Sequence, residues 1–103
     1  MDKELKKENA NNEIIIRLQS LKETVSDIMN SKYQYALLIL LARINDCIDE
    51  LTIDKLIYLH IVATDLNNIY TKYGEVEETL DYIYSETNEL LDLYEKQGGV
   101  YGR

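Results

Sequence analysis

Few side chains in this sequence have the type and spacing needed for catalysis or for binding a metal ion. His60 is the only histidine, and there is a single cysteine, so a catalytic site built on several histidines and a zinc site built on a cysteine pair are both excluded. The carboxylate pairs Glu75/Glu78 and Glu86/Glu89 have an i,i+3 spacing that could bind a divalent cation weakly, but the Glu-x-x-His motif of a di-iron bundle is missing. We therefore expect no catalytic residue, no metal site and no cofactor, in a protein that is not an enzyme.

Acidic residues are concentrated in one segment near the end of the chain. The segment from Glu75 to Glu95 contains eight acidic residues and neither Lys nor Arg, whereas the rest of the chain contains eleven acidic and eleven basic residues. This segment therefore carries the entire formal charge of −8. At a helical spacing the acids cover about half of the circumference, opposite the apolar side.

The acidic side of this segment is the preferred candidate for contact with a partner. Tyr82 lies within it and could act as an anchor on a basic protein surface. The candidate partner-binding face comprises Glu75, Glu78, Asp81, Tyr82, Glu86, Glu89 and Asp92.

Two alternatives to this docking role are open. The acidic face could serve only for solubility, as in a structural subunit of a helical assembly. It could also imitate nucleic acid and inhibit a nucleic-acid-binding protein, as a phage anti-defence protein would. Direct binding of nucleic acid is not expected, because the Lys and Arg residues are scattered along the chain.

Four helical segments are predicted to position these residues, and the first two have recognisable starts. Residues 1–12 contain one large apolar side chain after the initial methionine, so we expect a flexible arm, with a helix starting near Asn11 or Asn12. Ser31 and Gln34 have the spacing of a capping box, which predicts a second helix directly after Ser31.

The remaining boundaries follow from a polar cap and from glycines. Thr52 is predicted to cap the third helix, and Gly74 to end it in a left-handed conformation. A single long helix with a glycine interruption is the alternative. The fourth segment runs over 75–97, so residues 13–97 form one helical domain, and residues 98–103 are expected to be a flexible tail.

Apolar residues recur in each segment at spacings of three and four, which predicts the core. The stripes are Ile14, Leu18, Leu21, Val25 and Ile28; Tyr33, Leu37, Leu40, Ile44, Cys47 and Leu51; Leu56, Leu59, Ala63, Leu66, Tyr70 and Tyr73; and Val76, Leu80, Ile83, Tyr84, Leu90, Leu91 and Tyr94. The second and third segments carry additional apolar stripes. One of these, Ile53, Ile57 and Ile61, is expected to be internal or to form the seam of a homodimer.

Short connections between the segments favour antiparallel neighbours, so the predicted fold is an all-α antiparallel four-helix bundle. Helical hairpins that assemble into a dimeric bundle are the alternative. The longest apolar run, at 35–42, is far shorter than the roughly 20 residues that span a membrane. With a single cysteine and no leader-like start, we expect a cytoplasmic protein of a microbe or of an infected host cell.

The helix, short turn and helix of 35–42 and 51–58 resemble small helical proteins of bacterial defence and toxin–antitoxin systems. The chain is also similar in outline to bacteriocin immunity proteins, which are four-helix bundles of about this length. Because no specific motif is shared, we assign no family. We expect a non-enzymatic protein that acts through protein–protein interaction, as a regulator, inhibitor or immunity factor of microbial or viral origin.

Overall fold

Four helices account for nearly all of the part of the chain that the structure describes. The computed structural model describes residues 2–28, 34–70 and 77–98. Its helices are α1 (Asp2–Asp27), α2 (Gln34–Asp49), α3 (Ile53–Tyr70) and α4 (Glu77–Gly98). Each helix packs against the next one in the chain, and α4 packs against α1. Within the described ranges, no Cα atoms of the diagonal pairs α1/α3 and α2/α4 come within 8 Å of each other. The predicted antiparallel four-helix bundle is confirmed.

The core is built from four positions on each helix at spacings of three and four. These positions are Ile14, Leu18, Leu21 and Val25; Leu37, Leu40, Ile44 and Cys47; Leu56, Leu59, Ala63 and Leu66; and Leu80, Ile83, Thr87 and Leu90. All fifteen apolar members belong to the predicted stripes. Burying one Leu or Ile side chain contributes roughly 1.5–3 kcal/mol, so this pattern is the main source of the bundle's stability. Thr87 is the one polar member.

The start of α3 is fixed by a side-chain cap. The backbone N–H of Lys55 donates to Thr52 Oγ1 at 3.2 Å, and the N–H of Leu56 donates to the Thr52 carbonyl oxygen at 3.1 Å. The Lys55 N–H belongs to the first turn, where backbone donors have no carbonyl partner within the helix, and the Leu56 bond is the first backbone bond of α3. The predicted cap at Thr52 is therefore confirmed.

The start of α1 differs from the sequence prediction. The helix begins at Asp2, so the predicted start near Asn11 or Asn12 is wrong. The prediction relied on apolar periodicity, which shows only where a helix packs against its neighbours. Residues 2–12 are helical because of their intrinsic propensity, since they contain no Gly or Pro. In addition, Asp2 and Glu4 lie at the N-terminal end, where the helix dipole favours acidic residues. The flexibility of residues 1–12 stays a prediction.

Three predicted boundaries fall at or beyond the edges of the described ranges. The capping box at Ser31 and the C-cap at Gly74 lie outside the described residues, as does the tail beyond Gly98. The helices on either side of Gly74 pack against each other as α3 and α4, so the alternative of one continuous helix is wrong. In the described part of the chain, no helix has the length and apolarity required to cross a membrane.

Candidate functional site

One arginine joins the acidic helix α4 to α1. Arg17 Nε donates to Glu86 Oε2 at 2.8 Å, and Arg17 Nη2 donates to Glu86 Oε1 at 2.7 Å. This bidentate geometry is the strongest common form of a protein ion pair. The Glu86 side chain is only 10% exposed, so the pair is largely shielded from water. Hydrogen bonding to Glu86 raises the pKa of Arg17 far above its ordinary value, even though burial lowers it.

Two further carboxylates gather around the same guanidinium group. Arg17 Nη2 donates to Glu89 Oε1 at 3.3 Å, and Arg17 Nη1 lies 3.5 Å from Glu13 Oε2. Both of these carboxylates are mostly exposed, so these contacts are weaker than the one to Glu86. A single cation from α1 thus compensates two acids of α4.

Glu86 does not have the place that the sequence predicts for it. It was expected on the solvent-facing acidic surface, but it is buried against α1. The reason is its position next to Thr87 in the core stripe, which places it on the flank of α4 that faces α1. The counterion lies 69 residues away in the chain, so only the packing of the helices reveals it.

Asp92 is also compensated within the chain. Lys96 Nζ lies 3.1 Å from Asp92 Oδ2, one helical turn further along α4. Both side chains are well exposed, which makes this a weak surface pair. The predicted face begins at Glu75, which lies outside the described residues.

The first two turns of α4 present the candidate residues that remain open to solvent. Glu78, Asp81 and Tyr82 are all exposed, Tyr82 to 46%. Among the residues that the structure describes, neither Glu78 nor Asp81 forms an ion pair. We call these three residues the acidic α4 surface. The structure thus divides the predicted face into a paired part beside α1 and an open part.

A second polar contact crosses the bundle between α3 and α4. His60 Nδ1 lies 3.0 Å from Thr87 Oγ1, and the Thr87 hydroxyl donates to the Tyr84 carbonyl oxygen at 3.0 Å. Because a hydroxyl has one proton, the proton between His60 and Thr87 must reside on Nδ1. The imidazole also stacks on the Tyr84 ring, with 5.4 Å between centroids. His60 is thus half-buried in the interface between α3 and α4.

Burial has opposite consequences for the two residues that could titrate near neutral pH. It lowers the pKa of His60, because the imidazolium loses solvation. It raises the pKa of the Cys47 thiol to about 11, because the thiolate loses solvation. Cys47 is therefore a protonated core residue at neutral pH, as its place in the α2 stripe predicts.

The outer side of α2 and α3 is unusually apolar. Nine large hydrophobic residues are exposed among the side chains that the structure describes, and seven of them lie on these two helices: Tyr35, Leu38, Ile39, Ile57, Tyr58, Ile61 and Ile69. We call this set the apolar α2/α3 face. Ile57 and Ile61 are 41% and 49% exposed, so they are not internal residues, and Ile53 is half-buried. That they form a homodimer seam stays a prediction.

Comparison with protein-family models, with curated proteins and with solved structures finds no match for this chain. Within the described ranges, no group of three or more His, Cys, Asp or Glu side chains is placed to hold a metal ion. The candidate surfaces are therefore defined by the contacts and exposures of this chain alone.

We expect the variant Arg17→Met to lower the free energy of unfolding by roughly 3 kcal/mol, because Glu86 would stay buried without its counterion. Urea or guanidinium unfolding monitored by circular dichroism measures this loss. The double variant Arg17→Met/Glu86→Leu should regain most of it, because an apolar pair fills the same space without a buried charge.

The exposed pair between Lys96 and Asp92 provides the matched control. Lys96→Met removes a cation that pairs with another carboxylate of α4 and should cost no more than about 0.5 kcal/mol. If Arg17→Met costs as little as Lys96→Met, the Arg17–Glu86 pair does not have the importance that its geometry indicates.

The lowered pKa of His60 predicts a pH dependence of stability. The neutral imidazole is favoured in the folded state, so its contribution is fully present above the ordinary value of 6.5 and is lost as the pH falls from there towards the lower folded-state pKa. We expect the difference in unfolding free energy between the wild type and His60→Gln to shrink between about pH 7.5 and about pH 5.5. Titrating carboxylates cancel in this difference. A difference that is constant with pH would contradict the assignment.

Proposed function

We propose that this chain is a non-enzymatic binding protein that docks the acidic α4 surface on a basic region of a partner protein. The observation that carries the proposal is the exposure of Tyr82 beside Glu78 and Asp81, two carboxylates for which the described part of the chain supplies no cation. Tyrosine is one of the residues enriched at the energetic centres of protein interfaces. Carboxylates around it would orient a basic partner and speed its association.

The acidic α4 surface is held rigidly by the residues beneath it. Leu80 and Ile83, on the inner side of the same turns, are fully buried. The bidentate contact of Glu86 with Arg17 fixes the helix to α1 one turn further along. A surface that is already ordered loses little conformational entropy on binding, which supports a docking role over a merely solubilising one.

The other acidic roles receive less support from the geometry. A mimic of nucleic acid needs a dense series of uncompensated negative charges, and Glu86, Glu89 and Asp92 are paired within the chain. A structural subunit would use the same carboxylates for solubility only. The biological role that we propose is that of a regulator, inhibitor or immunity factor of microbial or viral origin, acting in the cytoplasm.

The test is capture of partner proteins from the native host by the wild type and by the variant Glu78→Gln/Asp81→Asn/Tyr82→Ala. We expect a partner retained by the wild type to be lost by the variant, because both the anchor and the attractive charges are removed. Binding to the wild type should also weaken as the salt concentration rises. Glu86 and Glu89 are left unchanged, because their contacts with Arg17 stabilise the fold.

The matched control is Glu23→Gln/Asp27→Asn, which removes two exposed carboxylates from α1. It removes the same number of negative charges while leaving α4 intact, so partner binding should persist. Equal retention of every partner by the α4 variant would contradict the proposed function. Equal loss with both variants would show that only the overall charge matters.

A further inference from the structure

We propose that the apolar α2/α3 face is the contact surface of a homodimer, in which a second copy of this chain covers the same face. This inference does not depend on the proposed function of α4. It starts from a surplus of apolar side chains that the core of the single chain does not use.

The surplus on α2 has the spacing of a packed helix. Tyr35, Leu38, Ile39 and Ala42 stand at positions i, i+3, i+4 and i+7, and all four are exposed. This is the pattern of an amphipathic helix facing a neighbour. The stripe that faces the bundle core is a different one, Leu37, Leu40, Ile44 and Cys47. Helix α2 thus carries two apolar stripes, of which the bundle buries one.

A contact between the helices places the exposed residues of α2 and α3 on the same side of the bundle. The guanidinium carbon of Arg43, from α2, lies 5.0 Å from the centre of the Tyr58 ring, from α3. Arg43 follows Ile39 by one helical turn, and Tyr58 precedes Ile61 by three residues. The two sets therefore adjoin across the α2/α3 groove and form one surface.

The area of this surface is suited to a stable dimer. From the exposed fractions of its seven residues, we estimate an exposed and mainly apolar area of roughly 700 Å². This area exceeds the about 300–600 Å² of the largest apolar patch on a typical monomer. It is close to the about 800 Å² that each partner buries in a standard interface. An isologous dimer buries the same patch on both copies, so the two faces together supply the area that such an interface needs.

The distribution of charge argues against a lipid surface as the occupant. Arg43 and Asp46, both on α2, are paired with each other at 3.2 Å. Asp54 and Asp65 on α3 are exposed and lie one turn from Tyr58 and Ile61, respectively, so a second copy must dock at an angle that keeps the like charges apart. An anionic membrane would require clustered Lys or Arg on this face, which α2 and α3 do not provide in their described residues.

The arrangement also separates the acidic helices of the two copies. No Cα atom of α4 comes within 8 Å of one of α2 in the described part of the chain, and the ion pairs of α4 with Arg17 are on the α1/α4 side, opposite the apolar α2/α3 face. A dimer through α2 and α3 would therefore turn both acidic α4 surfaces outward. Like-charge repulsion would be small, and the dimer would present two copies of the acidic α4 surface.

Sedimentation equilibrium of the purified full chain tests the inference without any partner protein. From micromolar to sub-millimolar concentration we expect the mass of two 12.0 kDa chains, with dissociation on dilution. The variant Ile39→Glu should raise the dimer dissociation constant by at least about 30-fold, because each copy brings a carboxylate into the apolar contact. Raising the salt concentration should not weaken the dimer, in contrast to binding through α4.

The matched control is Ile16→Glu, which introduces the same change at a 64% exposed isoleucine of α1 and should leave the dimer intact. Circular dichroism checks the folding of each variant, and Tyr35→Ser is the second variant if Ile39→Glu does not fold. A wild type that is monomeric at all concentrations overturns the proposal. A dimer that responds to Ile16→Glu, and not to the α2 variants, also overturns it.

Discussion

A four-helix bundle buries one stripe of each helix, and this constraint decides which side chains of the chain are left for other purposes. Each helix here supplies four buried core positions at spacings of three and four, and α4 also buries the ion-paired Glu86. Once those positions are filled, α2 and α3 still expose large apolar side chains such as Ile39 and Ile61, while α4 exposes carboxylates. The apolar α2/α3 face and the acidic α4 surface therefore consist of side chains that the core does not bury, and they lie on different sides of the bundle.

Two polar contacts determine the orientation of α4 against α1 and α3. Arg17 binds Glu86 through two short hydrogen bonds from α1, and His60 meets Thr87 from α3. Because a buried polar group is costly unless it is paired, these contacts favour one rotation and one register of α4 over others that would bury the same apolar side chains. The orientation of the acidic α4 surface depends on them.

Features that depend on residues nearby in the chain could be predicted from the sequence. Features that depend on contacts between different helices could not. Spacing alone identifies every apolar core position, and Thr52 is recognisable as a cap because its donors are three and four residues away. Thr87 was not predicted to be buried because its side chain is polar, although it continues the spacing of three and four between Ile83 and Leu90. The burial of Glu86 was missed because its partner is 69 residues away.

The outer side chains of α2 and α3, such as Ile39 and Ile61, lie outside the core of the single chain. The free energy of unfolding of Leu59→Ala and Ile61→Ala, two truncations within one turn of α3, tests this at a concentration where the protein is monomeric. We expect Leu59→Ala to cost about 2–5 kcal/mol, because it leaves a cavity, and Ile61→Ala to cost less than about 1 kcal/mol. Equal losses for the two variants would place Ile61 in the core and contradict the claim.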